Sequence, residues 1–141
     1  MTGVFYNTAQ LETIENAKTN HDWFTAIVLS AIQLEHNGCL KIKDYFLSCK
    51  AEAQIIDSVL ENLNLRDVAR ILKEMKVIDA KECDTFHKIS DERNWFVHRT
   101  TKEKFKRGKE ADLKYDPLVA EAVRILKEKL DVVRLAIFPV H

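Results

Sequence analysis

Apolar residues return every three or four positions along most of this chain, and each run of such returns marks a helix. From about Thr8 to Lys18, Leu11, Ile14 and Ala17 recur in an otherwise polar segment, which predicts a short amphipathic helix. Asn20-His21-Asp22 breaks it and supplies an N-cap. Trp23 to Leu34 is apolar on nearly every side, as a central buried helix would be, and Asn37-Gly38 predicts its stop. Cys39 to Ser48 mixes two periods and is assigned a short helix. Ala51 to Leu63 sets Ala53, Ile56, Val59, Leu60 and Leu63 on one side. Asn64 can cap the next helix, where Leu65, Val68, Leu72 and Met75 repeat up to Lys76.

The segment from Asp79 to about Arg99 reads as one amphipathic helix, with Asp79 as N-cap and Glu82 completing a capping box. On a wheel that starts at Cys83 and advances ~100° per residue, Phe86, Ile89, Phe96 and Val97 form the apolar stripe. Arg93 falls in the middle of that stripe. After this helix the periodicity is lost from Arg99 to Tyr115, which predicts a loop over about 99–116. Asp116-Pro117 then restarts order with a cap and a first-turn proline. Leu118, Ala122, Leu126, Leu130, Val133 and Ile137 give the stripe of a long last helix that Pro139 ends. The pattern predicts one all-α domain spanning 1–141, an up-and-down bundle of about five or six helices.

Composition agrees with that reading. Only 3 Gly and 2 Pro occur among 141 residues that are 46% apolar, which is enough for one sizeable core and too short for two ordinary domains. Lys plus Arg equals Asp plus Glu, 22 each, so no global field draws the chain to nucleic acid and any such attraction must be local. The predicted loop has one: Arg99, Lys102, Lys104, Lys106, Arg107, Lys109 and Lys114 face only Glu103, Glu110 and Asp112, with Phe105 and Tyr115 interleaved. A solvated loop is the plain reading, and a lip that holds an RNA backbone is the functional one. Cys39, Cys49 and Cys83 show neither disulfide nor zinc spacing, so no metal or other cofactor is expected. Reduced thiols, the lack of a basic-then-apolar leader at Met1, and apolar runs too short for a bilayer predict a soluble cytoplasmic protein with no membrane partner.

The chemistry is concentrated in Arg93, Asn94 and His98. A guanidinium on an apolar face costs several kcal/mol unless it is paired or opens onto a polar site, and it cannot escape by losing its proton. Asn94 and His98 lie on the flank beside it at the i,i+4 spacing. A phosphate-binding cation, an amide and an imidazole that titrates near neutrality are parts for recognising, and cleaving, a phosphodiester. His87 is read as structural, and Trp95 as either an interface anchor or a base-stacking surface.

Arg93-Asn94-x-x-x-His98, late in a helical domain of this size, resembles the R-x(4-6)-H signature of the HEPN superfamily of helical nucleotide-binding domains. The resemblance implies a helical bundle that dimerises with its motif helices facing each other across a two-fold. It also implies a metal-independent endoribonuclease, often a toxin or defence component, with Arg93, His98 and Asn94 as functional residues. Its other form is a non-catalytic module that binds a nucleotide, or pairs with a nucleotidyltransferase or antitoxin partner.

Overall fold

The computed structural model describes residues 2–98 and 108–131, with side chains from residue 10 onward. Among them are six helices: α1 (Thr2–Thr19), α2 (Trp23–Ser48), α3 (Ala53–Leu60), α4 (Leu65–Glu74), α5 (Ala80–His98) and α6 (Lys109–Glu128). The all-α bundle expected from the pattern is therefore the fold. The central helix is also where the pattern places it, since α2 packs against each of the other five.

Three helix starts follow the local chemistry of the sequence. Asp22 caps α2 by accepting from the Thr25 amide at 3.2 Å. Asn64 and Asp67 form a reciprocal capping box at α4. At α5, Asp79 Oδ1 accepts from the Glu82 amide at 2.8 Å while Glu82 Oε1 accepts from the Asp79 amide at 2.9 Å.

One expected helix stop is absent. Asn37-Gly38 does not stop α2, which continues through Ser48 and absorbs the separate short helix assigned to Cys39–Ser48. Both residues are buried, and each has a packing role. Asn37 Nδ2 donates to the Leu130 carbonyl at 3.1 Å, which holds the end of α6 against α2. A Cβ on Gly38 would lie 2.5 Å from Val68 Cγ1, so the missing side chain lets α4 approach. The real stops are chain reversals at His21, Lys50 and Lys76, which have φ of 57°, 65° and 64°. In each, the next amide reaches back five residues, as from Asp22 to the Ala17 carbonyl at 2.8 Å, in the manner of a Schellman stop. Glycine usually marks that position, and here His and Lys hold it. The ends of α1, α2 and α4 nonetheless fall at or within two residues of the expected ones, Lys18, Ser48 and Lys76.

Other boundaries shift too. α1 begins well before Thr8, and α3 is shorter than Ala51–Leu63. α6 begins at Lys109, so Asp116-Pro117 lies inside a helix rather than at its start. Pro117 has no N–H for the Leu113 carbonyl, and Leu113 is 77% exposed, so water can serve that oxygen. Val133, Ile137 and Pro139 lie outside the described residues.

The aromatic cluster fixes the end of the bundle that carries the last turns of α5. Phe96 meets Phe24 edge-on at 5.9 Å and Tyr115 at 5.4 Å, while Trp23 lies 6.2 Å from Tyr115. All but Phe24 are fully buried, each contributing about 1.5–3 kcal/mol of apolar burial. α2, α5 and α6 are thereby held at one level. α5 and α6 run antiparallel, tied by Arg124 to Glu82 at 2.8 Å and by Tyr115 to Glu92 at 2.9 Å.

The Gly38 contact gives a direct test. Ala at this position gains about 1 kcal/mol of helix propensity, but its methyl overlaps a stiff buried valine, an overpacking cost of about 1–3 kcal/mol. Gly38→Ala is expected to lower unfolding stability by up to about 2 kcal/mol in urea melts, with Val68→Ala relieving the clash in the double variant. A Gly38→Ala protein more stable than the parent would contradict the packing role.

Candidate functional site

α5 carries the candidate residues, and its inward side is set by Cys83, Phe86, Ile89 and Phe96, all buried. Val97, assigned to the same stripe by periodicity, is instead 49% exposed, because it lies ~100° around the helix from the fully buried Phe96, at the margin of the packed face. Arg93 sits between these regimes with its side chain 24% exposed. Its Nη1 lies 3.8 Å from Glu35 Oε2 on α2, and its Nη2 donates to Asn94 Oδ1 at 3.3 Å. A charge-assisted hydrogen bond would bring nitrogen and oxygen to about 2.7–2.9 Å. The guanidinium is therefore attended by a carboxylate without being sealed against it.

Asn94 and His98 are both exposed. On α5, Arg93 and His98 are five residues apart, which sets them ~140° apart around the axis and ~7.5 Å along it. Asn94 and Val97 lie on the arc between them. The motif therefore brackets one exposed strip with the cation on its inner margin and the imidazole on its outer. On α2, Ile32 is 45% exposed and lies one turn from Glu35, the partner of Arg93. No family model, curated protein or solved structure matches this chain.

The remaining sequence candidates separate. Arg99, Lys102, Lys104, Lys106 and Arg107, with Phe105, lie outside the described residues. Lys109 and Lys114, assigned to the same loop, belong to α6, and Lys114 pairs with Glu92 at 2.8 Å. Tyr115 is not a base-stacking ring at the surface. It is 1% exposed, and burial first, then donation to the Glu92 carboxylate, pushes its hydroxyl well above the ordinary phenol range. Trp95 is half-buried and meets Phe96 edge-on at 5.1 Å, at the rim of the core. His87 lies 3.7 Å from Cys83 Sγ. No group of three His, Cys, Asp or Glu side chains among the described residues is arranged to hold a metal ion. No helix among them is long and apolar enough to cross a membrane.

The structure also joins residues that no local spacing could connect. Asp112 Oδ1 accepts from Trp23 Nε1 and pairs with His21 Nδ1, each at 3.0 Å, from 89 and 91 positions away. The indole N–H first, and then His21, hold the Asp112 carboxyl below its usual range. Arg124 gathers Glu82, Glu121 and Glu128, which raises its own pKa further and lowers that of Glu121. Cys39 is pushed up by burial and then by the nearby Glu35 carboxylate. Arg124 with Glu121 and Glu128 follows local spacing within α6, and Cys39 with Glu35 follows it within α2. Asp112 with Trp23 and His21, and Arg124 with Glu82, carry no signal in the charge pattern, because each needs separate elements brought together.

The long, partly wet Arg93–Glu35 pair leads to an expected outcome. Breaking a sealed ion pair costs about 3–5 kcal/mol, whereas a solvent-reached one is worth about 0–1 kcal/mol. Glu35→Gln is expected to change unfolding stability by less than about 1 kcal/mol in denaturant melts. A loss near the sealed-pair range would make Arg93 a structural bridge.

Proposed function

We propose that this chain is a metal-independent endoribonuclease of HEPN type, acting as a homodimer whose motif helices meet across the exposed strip of α5. The observation that carries the reading is Arg93, a guanidinium on the inner margin of that strip, 24% exposed and 3.8 Å from the only carboxylate paired with it among the described residues. Such a cation can exchange or share its partner with a phosphate, for which its planar donors are well shaped. The apolar Ile32 and Val97 beside it suit contact with a second copy, which would supply a second Arg93 and His98.

In that reading the 2′-hydroxyl of RNA attacks the adjacent phosphorus. One His98 takes the hydroxyl proton, and the other protonates the departing 5′-oxygen. Arg93 stabilises the charge that grows on the non-bridging oxygens, and Asn94, already bonded to Arg93, orients it. The basic stretch from Arg99 to Arg107 would hold the flanking backbone electrostatically. Defence or toxin roles, with a neutralising partner, follow from the same resemblance.

A second reading is a binding module of the same fold that holds a nucleotide or a partner without cutting. The balanced charge of the chain favours it, as does the Glu35 carboxylate that attends Arg93.

Incubation with single-stranded RNA in EDTA decides between them. Cleavage leaving 2′,3′-cyclic phosphate and 5′-hydroxyl ends is expected, falling by about 100-fold or more in Arg93→Ala and in His98→Ala with helicity unchanged. Activity that persists in both variants rules out these roles, and nucleotide binding without turnover selects the module.

A further inference from the structure

We propose that the groove between α5 and α6 is a binding site for a small organic anion, its charged group held by Lys81 and Lys88 and its apolar body laid on Pro117 and Leu118. The groove has a volume of about 660 Å³, within the range of sites that hold small ligands. It exists because the two helices are tied near both ends and not between. Arg124 bridges to Glu82 at one end, Tyr115 bridges to Glu92 at the other, and the middle is lined by Thr85 and Lys88 facing Pro117 and Leu118. Thr85 is a short side chain, and it turns its hydroxyl to the Lys81 carbonyl at 3.3 Å rather than across the groove.

The charge on the lining decides the class of ligand. Its three carboxylates already have cationic partners: Asp91 pairs with Arg66, Glu92 with Lys114, and Glu121 with Arg124. Lys81 and Lys88 are seven residues apart, two turns along one face of α5, with Thr85 between them. Lys88 is engaged with Asp84 at 3.2 Å, but this is an exposed i,i+4 pair worth a few tenths of a kcal/mol, which an incoming anion can displace. Two ammonium groups above an apolar floor fit a phosphate or carboxylate on a small hydrocarbon body. Lys81 and Lys88 lie ~120° and ~140° around α5 from Arg93, so the anion-holding side of the groove is separate from the motif strip.

Amide shifts of the full chain, titrated with phenyl phosphate, benzoate and benzyl alcohol, test the proposal. Saturable shifts at Thr85, Lys88 and Leu118 are expected with at least one of the two anions, and which one distinguishes phosphate from carboxylate. Binding is expected to weaken about tenfold or more in the Lys81→Gln/Lys88→Gln double variant, whose exposed positions leave the fold intact. Three results overturn the proposal: no saturable shift up to about 10 mM of either anion, equal binding by benzyl alcohol, or unchanged affinity in the double variant.

Discussion

A guanidinium cannot shed its proton, and that one constraint organises the functional side of this molecule. Arg93 stands where α5 turns from the core to the surface, so its charge must be met from a neighbouring helix. Glu35 on α2 meets it at 3.8 Å, and Asn94 on α5 meets it at 3.3 Å. Neither contact closes the site. The same turn of α5 brings Phe96 into the aromatic cluster and Val97 out of it, so the position of Arg93 is fixed by packing while its charge stays accessible.

That packing depends on α2. Its length lets Trp23 and Phe24 anchor one end of the bundle, while Asn37 and Gly38 admit α6 and α4 further along. The helical class, the central place of α2, the Asn64 cap of α4 and the capping box at α5 were legible because they rest on local rules, period and capping chemistry. The stop read at Asn37-Gly38 was not, because a glycine that admits a neighbouring helix looks the same in sequence as one that ends a helix. The helix ends at the reversals of His21, Lys50 and Lys76 were read close to their places, but not the backbone that makes them, because side chains that rarely take positive φ occupy the positions glycine would mark.

The candidate site divides along the same line. Arg93 announced itself as a charge on an apolar stripe, and its partner Glu35 was visible only after α2 and α5 were packed. The exposure of Val97 escaped the wheel, since a periodic stripe does not record where the packed face ends. Asp112 with Trp23 and His21, and Arg124 with Glu82, are tertiary pairs without a sequence signature. They tie α6 to α2 and α5, and in doing so they leave the groove between α5 and α6 open.

The central claim is that the strip bearing Arg93, Asn94, Val97 and His98 is completed by a second copy of the chain. Sedimentation equilibrium at micromolar concentration measures this directly. The account expects a mass about twice the 16.4 kDa of one chain, returning to that of a single chain when Ile32 is replaced by Glu. A parent protein that sediments as one chain across that range, or a dimer indifferent to Ile32→Glu, would contradict it.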